Sequence, residues 1–100
     1  MADFYVVTGT LDLDATGDYF YMGVHNTKPY YRRAEEAHYY IWWETHSWYI
    51  SFLPGATQTF YWQRTDSNIV GQYVPRLAAS GTATVAEGFT PYQIPEDWSF

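Results

Sequence analysis

Residues 38–53 read HYYIWWETHSWYISFL, two runs of aromatic and β-branched residues on either side of the polar pair Thr45 and His46. Aromatic and β-branched side chains favour the pleated, half-buried surface of a sheet. A polar pair between two such runs is typical of a hairpin turn. The stretch therefore predicts two consecutive strands, residues 38–44 and 47–53, joined by a short turn.

Runs of the same kind recur along the chain between turn-forming residues. The predicted strands are residues 3–11, 19–24, 29–33, 38–44, 47–53, 59–64, 69–74 and 81–87. Residues 34–37 are rich in Ala and Glu and allow at most one helical turn. Short strands at this spacing are typical of all-β domains, so we expect a small antiparallel meander, a sandwich or an open barrel of about six to eight strands.

Alternation along the strands predicts a core and a second face. The predicted core residues share one side of their strands: Trp48, Ile50, Phe52, Phe60 and Trp62. The other side carries Tyr49 and Tyr61, and we extend it to Tyr39 and Trp43. Exposed Tyr and Trp offer flat amphipathic surfaces to a sugar ring or a protein partner. We therefore expect binding to occur on this second aromatic face.

Composition restricts the classes of partner. The chain has 100 residues, a formal net charge of −6 and no cysteine, and 22% of it is aromatic. A nucleic-acid binder needs a basic face, whereas the basic residues Lys28, Arg32 and Arg33 are followed by Glu35 and Glu36 and are expected to form a solvated strand end. We expect one domain that binds neither nucleic acid nor a membrane.

No arrangement of residues predicts catalysis, and we expect the chain not to be an enzyme and to use no cofactor. The three histidines lie in or beside predicted turns and form no known catalytic motif. His38, Glu44 and His46 flank one hairpin, but their spacing is not that of a zinc site. We expect them to be surface residues and predict no metal site.

Residues 12–18, DLDATGD, resemble the start of a calcium loop. Gly23 stands where such a loop requires a bidentate Glu, and Asp and Thr before Gly also make an ordinary turn. Calcium binding by this loop is left open.

The domain is expected to span residues 1–87 and to be followed by a tail, residues 88–100. Pro91 and Pro95 oppose regular strand pairing in the tail, yet the tail is rich in large apolar residues, which is unusual for a disordered segment. It is expected either to fold back on the domain or to dock on a neighbour. The predicted binding residues, from the second face and the tail together, are Trp43, Tyr49, Tyr61, Tyr92, Trp98 and Phe100.

Several blocks of the sequence resemble a short aromatic-rich β module that occurs in predicted proteins of tailed bacteriophages and of environmental bacteria. The blocks are TGTL (8–11), DATGDY (14–19), PYYRR (29–33), YYIWW (39–43), SWYIS (47–51), YWQR (61–64), GQYVP (71–75) and GTATV (81–85). The resemblance extends over residues 8–87, and the chain departs from it at two turns. Thr27 stands where the module has Gly after Asn, and residues 44–46 replace an Asp-Gly turn.

The module has no known activity and therefore implies a context without site residues. That context is a virion or cell-surface protein. Residues 1–10 show neither the basic region nor the apolar run of a signal peptide, so we expect synthesis in a host cytoplasm and localisation in a virion. The expected function is that of a non-catalytic structural protein, such as a head-surface decoration or a tail-associated component. Its partners would be protein neighbours in an assembly, including copies of itself, and the alternative is a carbohydrate-binding adhesive module.

Overall fold

The structure, a computed structural model, describes residues 4–57 and 59–89. Its strands, in chain order, are β1 (Phe4–Thr8), β2 (Gly17–His25), β3 (Lys28–Arg33), β4 (Tyr40–Glu44), β5 (Ser47–Ser51), β6 (Phe60–Arg64), β7 (Gly71–Leu77) and β8 (Ala83–Gly88). Each strand pairs antiparallel with the next, and β8 pairs with β1, so the sheet closes into a barrel. The predicted all-β meander is confirmed, and it is neither a sandwich nor an open barrel. Within the described ranges, no helix is long and apolar enough to cross a membrane.

Alternate residues of the strands fill the barrel with large side chains. The core residues, of which Ala15 and Ile69 lie in the loops before β2 and β7, are Val7, Ala15, Tyr19, Ile41, Trp48, Ile50, Phe60, Trp62, Ile69, Tyr73, Ala83 and Val85. Four of the five predicted core residues are among them. The prediction for Phe52 is wrong, because β5 ends at Ser51. Phe52 lies beyond the strand, 41% exposed, with its ring stacked 6.0 Å from that of Phe60.

Arg33 is buried and ties two loops to the barrel. Its Nε donates to the carbonyl of Thr16 (2.7 Å), and its Nη1 donates to the carbonyls of Glu36 (3.2 Å) and Ala37 (3.3 Å). The guanidinium also pairs with Glu35 at 3.1 Å. The expectation that Arg33 belongs to a solvated cluster is therefore wrong, because the guanidinium satisfies loop carbonyls that would otherwise lack partners.

Two tyrosine hydroxyls are held by the same backbone arrangement. Tyr19 donates to the carbonyl of Ala15, and Tyr73 donates to the carbonyl of Ile69, each at 2.6 Å and each four residues upstream. Both side chains are fully buried. Each hydroxyl thus closes the loop that leads into its strand, and we call the two arrangements the tyrosine corners.

The tyrosine corners share further features with each other. The residues are DATGDY at 14–19 and NIVGQY at 68–73, and in each the first side chain accepts from the amide two residues later, at 3.1 Å from Thr16 and 3.0 Å from Val70. In each, an arginine from the paired strand lies against the glycine, Arg33 against Gly17 and Arg64 against Gly71. One sequence pattern, an Asx residue with Gly three and Tyr five residues later, therefore produces the same corner twice.

Candidate binding face on the outside of the barrel

Tyr49 and Tyr61 lie side by side on the outside of the barrel, as the alternation predicts. Their neighbours along β5 and β6 point inward, and Ile50 and Trp62 are opposite each other in the register. The rings of Tyr49 and Tyr61 are 5.7 Å apart and tilted by 58°. Both side chains are half-buried, so their positions are restricted by packing while part of each ring stays accessible.

Trp42 packs against Tyr49, the first tyrosine of this pair, although it was not among the predicted site residues. Its ring stacks on that of Tyr49 at 4.6 Å and 22°. It is only 1% exposed, and its Nε1 donates to Ser51 Oγ at 2.9 Å. The Ser51 hydroxyl in turn donates to the carbonyl of Leu53 at 3.0 Å. Because the Trp42 side chain is buried and its Nε1 is hydrogen-bonded, its ring is fixed in place and orients the ring of Tyr49 that stacks on it.

The aromatic surface continues across β4 and β3 toward β2. The ring of His25 meets that of Trp42 edge-on at 5.7 Å, and the rings of Tyr30 and Tyr40 are 6.1 Å apart. The Nε2 atom of His25 is buried, and within the described residues it has no hydrogen-bond partner. We use the name outer aromatic face for the set His25, Tyr30, Tyr40, Trp42, Tyr49 and Tyr61.

A hydrogen-bonded group of polar side chains borders Tyr49 and Tyr61. Gln63 Nε2 donates to Ser47 Oγ (3.0 Å) and to the Tyr49 hydroxyl (3.5 Å), while Gln63 Oε1 accepts from Arg76 Nε (3.2 Å). Arg76 is exposed and lies opposite Tyr61 in the β6–β7 register. The face therefore combines flat aromatic rings with the Gln63 amide and the Arg76 guanidinium, whose orientations are fixed by hydrogen bonds.

Trp43 and Tyr39 do not lie on the outer aromatic face, so that part of the prediction is wrong. Trp43 is opposite Trp48 in the register, and their rings meet at 5.4 Å on the core side of the sheet. Lys28 Nζ lies 4.9 Å from the Trp43 ring centroid. Tyr39 packs edge-on against Phe60 at 5.6 Å. Both side chains lie on the same side of the chain as Ile41, and this side faces the barrel interior.

The length of the turn between β4 and β5 is the sequence feature that could have predicted the position of Trp42 beside Tyr49. A two-residue turn at Thr45 and His46 pairs Glu44 with Ser47, and two positions further along it pairs Trp42 with Tyr49.

The other predicted binding residues, Tyr92, Trp98 and Phe100, lie outside the described residues.

The structure does not bring the considered metal ligands together. Among residues 4–57 and 59–89, no group of three or more His, Cys, Asp or Glu side chains is placed to hold a metal ion. His38 Nδ1 is 2.9 Å from the carbonyl of Arg33. Asp14 accepts from the Thr16 hydroxyl (2.6 Å) and amide (3.1 Å), and these two hydrogen bonds lower the pKa of the Asp14 carboxyl. Asp14 is therefore engaged in a local turn.

Comparison of the chain with protein-family models, with curated proteins and with solved structures finds no match.

Proposed function

We propose that the chain is a non-catalytic binding domain, an accessory component of a phage virion such as a head-surface decoration or tail-associated protein. In this proposal the outer aromatic face contacts a protein neighbour in the particle. The observation that carries it is the pairing of Tyr49 with Tyr61 and the stacking of Tyr49 on the buried Trp42, beside the Gln63–Arg76 hydrogen bond.

Three physical arguments support a binding role for this face. Tyr, Trp and Arg are the residues that contribute most to the binding energy of protein interfaces. The rings are held by their neighbours, so little side-chain entropy is lost when a partner orders them. The sheet is closed into a barrel, because β1 pairs with both β2 and β8. Side-chain faces are therefore the main surfaces available for contact with a neighbour.

Particle association tests the proposal. Phage particles would be assembled with the full chain, with Tyr49→Ala/Tyr61→Ala or with the control variant Tyr21→Ala, which removes an exposed tyrosine from a different surface. After gradient purification, quantitative mass spectrometry would measure the copies of each chain per particle. We expect the copy number per particle of the control to match that of the unaltered chain. The copy number of the double variant should be lower by at least about tenfold, which corresponds to a loss of about 1.4 kcal/mol in binding free energy. Absence of the unaltered chain from the particles would overturn the proposal.

The second candidate function is carbohydrate binding by the same face. The observation that favours it is the planar Gln63 amide hydrogen-bonded to Arg76 next to the rings. Aromatic rings can stack on the apolar side of a sugar ring, while an amide and a guanidinium can bond its hydroxyls.

A glycan array with the purified chain separates the two candidates, with tryptophan fluorescence titration to check each hit. A competable hit that is lost in Tyr49→Ala and Tyr61→Ala but kept in Tyr21→Ala would support carbohydrate binding. Binding that survives both alanine substitutions would exclude this face as the sugar site. A blank array with particle association retained would favour the protein-neighbour role.

A further inference from the structure

Arg76 lies beside the Tyr49–Tyr61 pair and is held by a directed hydrogen bond. It is opposite Tyr61 in the β6–β7 register, and its Nε donates to Gln63 Oε1 at 3.2 Å. A guanidinium has donors only, so the Gln63 amide turns its oxygen toward Arg76 and its nitrogen away. That nitrogen donates to the buried Ser47 hydroxyl at 3.0 Å. Gln63 is therefore held through both of its amide atoms, and it positions the Arg76 side chain.

The hydrogen bond from Arg76 to Gln63 determines which donors of the guanidinium a ligand can use. Gln63 takes the N–H group of Nε, and the remaining N–H groups are those of Nη1 and Nη2. Arg76 is exposed. Two parallel N–H groups of one guanidinium match the two oxygens of a carboxylate. Arg76 can therefore bind a carboxylate through Nη1 and Nη2 while its Nε stays bonded to Gln63.

The acidic residues of the chain are distributed away from the strands that surround Arg76. β5, β6 and β7 contain no Asp or Glu, and Asp66 is the only acidic residue between positions 45 and 86. Asp66 follows β6 at the opposite end of the barrel from Arg76, and it pairs with Arg64 at 3.8 Å. The whole chain carries a formal net charge of −6. Within this acidic chain, the three strands thus provide a surface that suits an acidic ligand.

The side chains next to Arg76 favour a peptide over a sugar as the ligand. Val74 is opposite Gln63 in the register, on the same side of β7 as Arg76, and it is 45% exposed. An aliphatic side chain can pack on an apolar group but offers no hydrogen bond to a sugar hydroxyl. The rings of Tyr49 and Tyr61 are tilted by 58°, so they do not form one flat platform for a sugar ring. Apolar contacts beside one directed cation fit a peptide that carries a carboxylate next to an apolar side chain.

We propose that the outer aromatic face recognises an acidic segment of its protein neighbour. An Asp or Glu carboxylate of that segment binds Nη1 and Nη2 of Arg76, and an adjacent apolar side chain packs on Tyr61 and Val74. The inference rests on the proposed function, because it takes the same face as the contact surface and adds the chemistry of the partner. Gln63 is a positioning residue, since it acts on the partner through Arg76.

Selection from a library of random peptides tests the proposal without phage particles. The purified full chain would be the bait, and peptides that also bind Tyr49→Ala/Tyr61→Ala would be discarded. The probes are the most enriched peptide and its amide counterpart, in which every Asp is Asn and every Glu is Gln. Calorimetry of both peptides with the unaltered chain and with Arg76→Gln completes a double-mutant cycle, which isolates the pairing of carboxylate and guanidinium.

We expect the enriched peptide to bind the unaltered chain at least about tenfold more tightly than its amide counterpart, as for a charge-assisted pair in an interface. With Arg76→Gln the affinities of the two peptides should agree within about twofold. Arg32→Gln is the matched control, because it removes an arginine from β3, four strands away from β7 in the eight-stranded barrel, and should keep the full difference. Gln63→Leu should reduce the preference for the carboxylate without weakening the amide counterpart, a result that general loss of structure would not give.

Three results would overturn the proposal. Equal affinities of the two peptides for the unaltered chain, or no enriched peptide, would mean that the face does not recognise an acidic segment. Particle association retained alongside that result would leave the proposed function standing. A carboxylate preference that persists in Arg76→Gln would place the anion at another residue. Binding of a hexuronate oligosaccharide that is lost in Arg76→Gln, with no acidic peptide enriched, would assign the carboxylate to a sugar.

Discussion

Tyr19 and Tyr73 show how single hydroxyl groups stabilise this fold. Each hydroxyl donates to a backbone carbonyl at 2.6 Å in a fully buried position. Replacing Tyr73 with Phe keeps the ring and leaves the carbonyl of Ile69 without that donor. An unpaired buried acceptor costs about 1–3 kcal/mol, so we expect Tyr73→Phe to lower the free energy of unfolding by this amount. Urea denaturation followed by tryptophan fluorescence would measure it.

Tyr21→Phe is the control, because the Tyr21 side chain is mostly exposed and a surface change of this kind stays within about 0.5 kcal/mol. Tyr19→Phe should have an effect similar to that of Tyr73→Phe. Their corners lie at opposite ends of the barrel, so the double variant should show the sum of the two effects. A Tyr73→Phe variant as stable as Tyr21→Phe would show that the hydroxyl does not stabilise the corner.

At the scale of the element, the β2–β3 hairpin contains a residue poorly suited to its backbone. Asn26 and Thr27 have φ values of 55° and 71°, the left-handed region at both central positions of the turn. This conformation costs an L-residue about 1–2 kcal/mol, and Thr has no local compensation of the kind available to Asn. We expect Thr27→Gly to raise the free energy of unfolding by about 0.5–1 kcal/mol after the added entropy of Gly in the unfolded chain.

Thermal unfolding would measure the effect as an increase in Tm. Thr84→Gly in β8 is the matched control, because the same substitution within a regular strand removes a β-branched side chain and should lower Tm. A fall in Tm for Thr27→Gly would indicate that the Thr27 side chain makes a contact worth more than the backbone cost.

The strands themselves could be predicted because their signal is local. Aromatic and β-branched runs between turn residues located all eight strands to within a few residues, and alternation separated Tyr49 and Tyr61 from Trp48, Ile50 and Trp62. Alternation divides a strand into two sides without saying which side faces the core. Trp43 was assigned to the wrong side for this reason, since only packing against Trp48 decides it.

At the scale of the whole molecule, closure of the barrel joins the first and last strands, and no local pattern encodes that pairing. β1 and β8 pair over five positions, from Phe4 opposite Gly88 to Thr8 opposite Thr84. Closure also determines which residues lose contact with water, and this explains why the tyrosine corners and the buried Arg33 were not predicted from sequence. The candidate site was predicted in part, through Tyr49 and Tyr61, while Trp42 required the register of the β4–β5 hairpin.

Burial of several tyrosines predicts loss of stability at alkaline pH. Burial raises the pKa of Tyr31 to about 12 and also raises the pKa of Tyr5, Tyr19 and Tyr73. In the unfolded chain these phenols ionise near a pKa of about 10. Their neutral forms are favoured by folding, so their contribution is fully present below about pH 10 and is lost as the pH rises toward the folded pKa values.

Urea denaturation at a series of pH values from about 8 to about 12 would measure this loss, with phenolate absorbance recorded in parallel. For Tyr19 and Tyr73, which are fully buried, the free energy of unfolding should fall by about 1.4 kcal/mol per pH unit for each group above about pH 10. The Tyr73→Phe variant starts less stable at neutral pH but should lose stability with a shallower slope, because one fewer phenol ionises on unfolding. Equal slopes for the two proteins would show that Tyr73 ionises in the folded barrel and that its corner admits water.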